Sequence, residues 1–252
     1  MDNPSPSWQR IYADEEFSWL WPPAYEPGST PPELESILSL LQPQNGARFL
    51  DLACGLGWLT IPMALRGFHV TGYDLSDALL TRAQESAAQA KAEIEWVRGD
   101  MRSLPADWTA TFDFVTLTLS EFGCFHDESD NQRVLAEAAR VLKQGGRFLL
   151  DIVVNRDELV FRGDRTECFD AGGYFISDRG SLDLLSGIYT RVFQWYRQGQ
   201  RRQTTWQIRA YTAPEVTRML QRAGFRSSTP YRNYAGDRLT RDSASLVFLA
   251  QK

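Results

Sequence analysis

Apolar and polar positions along the chain fall into two periods that alternate from residue 48 onward. Short continuous apolar runs (ARFLDLA, FHVTGYDL, AEIEWVRGD, FDFVTLTLS and RFLLDIV) read as buried strands. Between them lie helix-period stretches. WLTIPMALRG stops at Gly67, a second helix runs from the candidate N-cap Ser76 to Ala90, and DNQRVLAEAARVLKQGG ends on a glycine pair. Strands without polar alternation, joined by helices, predict an α/β doubly wound, Rossmann-like parallel sheet covered on both faces.

The pattern changes on either side of this stretch. WQRIYADEEFSWLW near the N-terminus is rich in aromatics and reads as a packed helix or a lid carrying Trp8, Tyr12, Phe17 and Trp19. PPAYEPGSTPP cannot continue a helix, and Glu33 to Leu41 resumes one with Leu34, Ile37, Leu38 and Leu41 on one side. After Val154, GGYFISD, GIYTRVFQWYR and RQTTWQIRAY predict an inserted antiparallel β-sheet. TAPEVTRMLQRAGF returns to helical period, with Thr212 and Glu215 spaced as a capping box, and FRSSTPY and SASLVFLA supply the last strands. The expected organisation is an N-terminal helical lid and proline loop over 1–45, a cofactor-binding core over 46–158, the inserted sheet as substrate region over 159–210, and a completing helix and hairpin over 211–252.

Composition narrows the class. A formal net charge of −5 argues against nonspecific nucleic-acid binding, which depends on neutralising phosphates. Cys54, Cys124 and Cys168 are far apart and odd in number, which suits a reduced, cytoplasmic setting. The N-terminus lacks the apolar region of a signal peptide, and no apolar run is long enough for a membrane span. No His, Asp or Glu set has metal-ligand spacing, so no metal is expected. An inserted sheet with exposed edges suggests a homodimer.

The chemistry-bearing residues fall at the ends of successive predicted strands: Asp51 with Gly55 and Gly57, then Asp74, then Asp100-Met101, then Ser120-Glu121-Phe122. In a doubly wound sheet these ends meet at one crevice. A dinucleotide pyrophosphate favours backbone N–H groups and a third glycine, but that position is Thr60, and carboxylates flank the turn. A phosphate-free cationic nucleoside, S-adenosylmethionine, fits better. Asp74 can accept both ribose hydroxyls, Asp100 the adenine amino group, with Met101 against the ring. Asp51 either lies near the ammonium or supports the turn from behind.

These segments, DLACGLG, VTGYDLS, GDMRSLP, FDFVTLTLSEFGCF and LKQGGRFLLD, resemble the class I S-adenosylmethionine-dependent methyltransferases. RAYTAPEVTRMLQRAGF and LTRDSASLVFLAQK are similar to the late pattern of bacterial small-molecule members with a β insertion after the fifth strand. The resemblance implies a seven-stranded sheet with its last strand antiparallel. It implies cofactor roles for Asp51, Gly55, Gly57, Asp74, Asp100 and Met101, with Ala53, Leu75 and Ser120 completing the candidate set. The sequence departs from the family pattern at Glu121, where a small polar residue is usual, and at Cys124, where an aromatic is common.

Catalytic candidates are Glu121, which either orients or deprotonates an amine or is a solvated loop acid, and His126, which is a base or a helix cap. Phe122, Phe125, Arg191, Arg209 and Tyr211 are candidates for the substrate pocket; the two arginines have surface placement as the alternative. The strand-four motif is not the Asn-Pro-Pro or Asp-Pro-Pro type used on nucleobase and glutamine amines, so the acceptor is expected to be a small-molecule N, O or C nucleophile. Two other readings are an NAD-dependent oxidoreductase, to which Asp74 is also suited, and a noncatalytic cofactor-binding scaffold.

Overall fold

The computed structural model describes residues 31–119, 122–171, 174–197 and 199–252. The expected N-terminal lid and the candidates Ser120 and Glu121 lie outside these residues.

The elements follow the predicted alternation: α1 (Leu34–Leu41), β1 (Arg48–Leu52), α2 (Thr60–Leu65), β2 (His69–Asp74), α3 (Asp77–Ala90), β3 (Glu95–Arg98), β4 (Phe112–Leu117), α4 (Glu128–Val141) and β5 (Leu142–Ile152). Then come α5 (Arg156–Arg162), four strands β6 (Arg165–Ala171), β7 (Tyr174–Leu182), β8 (Ile188–Arg197) and β9 (Gln200–Arg209), followed by α6 (Ala213–Ala223), β10 (Ser227–Tyr231) and β11 (Leu246–Gln251).

Seven strands form one sheet in the order β10-β11-β5-β4-β1-β2-β3. β1 pairs in parallel with β2 and β4, and β11 runs antiparallel to both β5 and β10. The chain leaves β1 toward β2 and β3, then returns to the other side with β4 and β5. The C-terminal ends of β1 and β4 therefore flank the topological switch point, where ligands of open α/β sheets bind.

Period-two side-chain alternation sends each strand's residues to two cores. Leu50, Leu52, Val115, Leu117 and Leu150 pack with α4 and α6 on one face. Phe49, Phe114 and Leu149 pack with Leu34, Ile37 and Leu41 of α1 on the other. Asp51 and Thr116 occupy positions on this second face, beside Phe49 and Phe114.

The cap signals hold locally. Ser76 accepts from the Leu79 N–H, and Thr212 and Glu215 form the complete reciprocal capping box. Two features differ from the sequence pattern. LKQGG does not extend α4: β5 begins at Leu142, and its register against β4 shifts between Phe112 and Phe114. Gly146 carries this irregularity because a Cβ there would sit 2.9 Å from the Lys143 carbonyl oxygen and 3.0 Å from that of Asp113. A helix, α5, also precedes the inserted strands and spans residues 158 and 159, with Asn155 capping it.

The inserted strands form their own antiparallel sheet, β6-β7-β8-β9. Tyr189, Ile208, Val154, Leu159 and Ala210 pack together at its base. No described helix is long and apolar enough to cross a membrane.

Candidate cofactor and acceptor site

Asp51 is a buried acid within β1. It ends the polar positions of β1 at 2% exposure, and both oxygens are engaged: Thr60 Oγ1 donates at 2.6 Å and Thr116 Oγ1 at 2.7 Å. Burial raises its pKa to about 6, against the opposing effect of the two hydroxyl bonds. Thr60, at the third-glycine position, therefore clamps the acid and joins β1 to the start of α2, and Thr116 joins it to β4. These contacts make Asp51 a support of the turn.

The turn itself bends through left-handed backbone at Ala53 (φ 51°), Gly55 (φ 53°) and Gly57 (φ 77°). A non-glycine residue there is strained, and such strain gathers where backbone is held for a ligand. The two glycines differ. Gly57 is needed for packing, because a Cβ would lie 2.9 Å from Trp96 Cη2 and 3.1 Å from Ile61 Cγ1. Gly55 faces open space, with nothing within 4 Å of such a Cβ.

Asp74 closes the turn from the next strand. One oxygen accepts from Gly55 N–H at 2.9 Å and the other from Ser76 N–H at 2.8 Å. Its pKa is raised by burial, opposed by these backbone bonds. Leu75, next along, is partly exposed, and its carbonyl accepts from Arg98 Nε.

Asp100 follows β3 and is folded against Arg102. Arg102 donates its backbone N–H to Oδ1 at 2.9 Å and its Nη2 to Oδ2 at 2.6 Å, and Nε bridges both oxygens. The guanidinium holds the Asp100 carboxyl below its ordinary range. Met101 is partly buried against the α4-side core, as is Phe125.

The structure distributes the acceptor-side candidates differently from expectation. Tyr211 is 2% exposed; Asn131 Nδ2 donates to its hydroxyl at 3.0 Å, and its ring lies 5.4 Å from that of Phe122, which is also buried. Burial pushes the Tyr211 hydroxyl pKa up. The YTAPE segment thus opens with a core tyrosine. Arg191 is committed to Asp178, a buried acid of the same inserted sheet, and lies over the Phe193 ring. Arg209 Nε donates to the His126 carbonyl at 3.2 Å, and the Arg209 N–H donates to Gly123 O at 2.8 Å. His126 is exposed, and the cap of α4 is Asp127, which accepts from Ser129 N–H at 2.9 Å.

One buried acid at the strand ends escaped the sequence reading. Asp151, near the end of β5, accepts from Tyr234 Oη at 2.7 Å and from Leu119 N–H at 3.2 Å. Burial raises its pKa to about 6. Leu119 is itself left-handed (φ 56°) and immediately precedes the strand-four tip. The signal was present: a carboxylate inside the apolar run FLLDIV is as anomalous as the one inside FLDLA. A surface groove of about 830 Å³ lined by Arg48, His69, Glu95, Asp113 and Lys143 lies at the opposite ends of the strands, away from these acids. Among the described residues, no three His, Cys, Asp or Glu side chains gather as metal donors.

A seven-stranded sheet of this order, with an acid or a glycine turn at each of its first three strand ends, defines a Rossmann-like fold with its ligand crevice at those ends. A family model described as a methyltransferase domain matches residues 49–146. The chain is 30% identical over 215 residues to the putative methyltransferase YqeM of Bacillus subtilis (strain 168), covering 83% of this chain and 85% of that one. Among solved structures, the CcbJ methyltransferase of Streptomyces caelestis superposes with a TM-score of 0.79 at 18% identity, over 98% of this chain and 96% of its own. CalS10, an amino pentose methyltransferase of Micromonospora echinaspora, gives 0.68 at 19% identity, over 87% and 88%. These two share the fold. The chain belongs to the methyltransferase family that these relatives define.

Proposed function

We propose that the protein transfers the methyl group of S-adenosylmethionine to an amine nitrogen of a small molecule. The observation that carries the cofactor part is the Asp74–Gly55 bond, which aims a half-buried carboxylate and an open glycine turn at one crevice. In this reading Asp74 accepts from the ribose diol, Asp100 from the adenine amino group, and Gly55 lets the backbone approach the methionine portion. Ala53, Gly57, Leu75 and Met101 complete the wall, Ser120 is a candidate from its place in the sequence alone, and Asp51 supports the turn through Thr60 and Thr116. Carboxylates suit this ligand because it is cationic and carries no phosphate.

When bound, the cofactor supplies a methyl group already activated on a sulfonium. The residues of this chain then hold donor and acceptor in line and exclude water, work that contributes on the order of 7–11 kcal/mol in favourable cases. Two features support an amine acceptor. Arg191, expected near it, is neutralised by Asp178, which argues against its recognition of an anionic group. The acid near the β5 tip, Asp151, favours a cation, and Glu121, taken from its place in the sequence alone, is the first candidate to take the proton of an ammonium. The methyl acceptor of CalS10 is an amino pentose by its name, which agrees with this reading. Phe125, which is partly exposed, then walls the acceptor side, and Phe122 packs behind it in the core. The reading further takes the chain to act in the cytoplasm, on no nucleic acid, as a homodimer through an exposed edge of the inserted sheet.

The test uses S-adenosylmethionine carrying a labelled methyl group with panels of small amines, phenols and carbon acids, read by mass spectrometry. Label on amines alone is expected. Label on phenols or carbon acids and none on amines overturns the acceptor assignment.

A further inference from the structure

Arg102 connects three segments that otherwise approach the crevice separately. Its guanidinium binds Asp100 in the loop after β3 through Nε and Nη2. Its remaining nitrogen, Nη1, donates to Asp130 Oδ2 at 2.8 Å, in the first turn of α4. Its Cζ lies 4.4 Å from the centroid of the Phe125 ring, in the loop that leads into α4. A planar guanidinium has fixed donor directions, so satisfying both acids while stacking on a ring fixes all three partners relative to one another.

The far side of the same loop is equally tied. Asn131, adjacent to Asp130 and fully buried, accepts from Gly123 N–H and donates to the Phe125 carbonyl at 2.7 Å. Gly123 in turn accepts from the Arg209 N–H of β9. A Cβ on Gly123 would lie 2.4 Å from the Arg209 carbonyl oxygen, so the loop and the inserted sheet are in close backbone contact. Residues 122–127 are thus held between β9 on one side and Arg102 on the other.

We infer that Arg102 is a positioning residue that makes the adenine edge of the cofactor site and the acceptor-side loop a single unit, so that filling the first orders the second. Without this link, Asp100 and the 122–127 loop belong to different elements and respond independently. With it, any shift of the Asp100 carboxylate toward an adenine amino group is transmitted by the guanidinium to Asp130 and Phe125. The inference rests on the assignment of Asp100 to the adenine edge.

The experiment is hydrogen–deuterium exchange of the full chain with and without S-adenosylhomocysteine, alongside titration calorimetry with the same ligand. In the parent protein the ligand is expected to slow exchange at both the 53–57 turn and residues 122–127. Asp130→Ala leaves the Arg102–Asp100 pair intact. It is expected to change affinity by less than about threefold while reducing, with the Phe125 stack still in place, the ligand-dependent protection of 122–127 and retaining that of 53–57. Arg102→Ala is expected to lose that protection and to weaken affinity roughly tenfold, the scale of one charge-assisted hydrogen bond. Retention of 122–127 protection in both variants overturns the coupling, as does its absence in the parent protein. Asp100→Asn separates the two levels. If it leaves affinity unchanged, the adenine assignment is wrong; if it weakens affinity while the Arg102 and Asp130 variants keep the loop protection, only the coupling fails.

Discussion

The Asp74 carboxylate accepts a hydrogen bond from the Gly55 N–H at 2.9 Å, so the end of β2 directly holds the turn that follows β1. The same carboxylate accepts from Ser76 at the entrance to α3. One acid thus fixes two backbone segments and still lies partly open at the crevice, a placement suited to a ribose diol.

Replacing it separates ligand binding from folding. Asp74→Ala removes the acceptor of both backbone bonds and of the proposed ribose contacts. Affinity for S-adenosylhomocysteine is expected to fall by about two orders of magnitude, since each hydrogen bond to a charged group contributes roughly 1.5–3 kcal/mol. Thermal stability should fall much less, because water reaches the freed N–H groups. Calorimetric titration checks this, and an unchanged Kd removes Asp74 from the ribose assignment.

The acid behind the turn gives a pH prediction. Asp51 keeps its proton to about pH 6 in the folded chain, whereas its ordinary value is 3.8. Between these values the folded state binds more protons than the unfolded one, so this group's contribution to stability is present at low pH and lost as pH rises through 6. The size is on the order of 3 kcal/mol, from about two units at 1.36 kcal/mol each. Asp51→Asn removes this dependence, so the variant is expected to gain on the parent between pH 4 and pH 7. Urea unfolding across that window measures the difference. Asp151 carries a shift of the same direction and remains in the variant.

The buried tyrosine yields a contrast between structural and substrate roles. The Tyr211 hydroxyl accepts from Asn131, whose other bonds hold Gly123 and Phe125. Tyr211→Phe removes one acceptor of the Asn131 amide, which keeps the Phe125 and Asp127 carbonyls, and is expected to cost about 1 kcal/mol of stability. A tyrosine acting only in the core leaves the apparent KM for the acceptor within about twofold. A tenfold rise in KM without loss of stability would restore it to the pocket.

Much of this molecule was legible in the order of residues because period and chemistry agreed. FLDLA, VTGYD and FVTLTL declare buried strands, and the acids of the first two, Asp51 and Asp74, fall at strand ends beside the point where the sheet reverses direction. Caps such as Thr212 with Glu215 are local and need no tertiary knowledge. What stayed hidden depends on contacts across long separations. LKQGG has helical period but is drawn into β5 by pairing with β4. Arg191 alternates onto a face where Asp178, thirteen residues earlier, claims it. Arg102 reveals its second partner only once α4 brings Asp130, twenty-eight residues away, within 2.8 Å.

The two glycines of the turn are the last test, since the sequence treats them alike and the structure does not. Both have left-handed backbone, so an alanine at either site carries strain of roughly 1–2 kcal/mol. At Gly57 the new methyl also meets Trp96 and Ile61, side chains already packed on the sheet. Gly57→Ala is therefore expected to cost 1–3 kcal/mol more through overpacking, an order-of-magnitude range (roughly) for inserted methyl groups. At Gly55 the methyl enters open space, which is where the methionine part of the cofactor is proposed to approach. Gly55→Ala should leave the chain the more stable of the two variants yet weaken S-adenosylhomocysteine the more, relative to its loss of stability. Measuring Tm and Kd for both gives the comparison. If Gly55→Ala binds the ligand as tightly as the parent, the cofactor does not lie against that glycine.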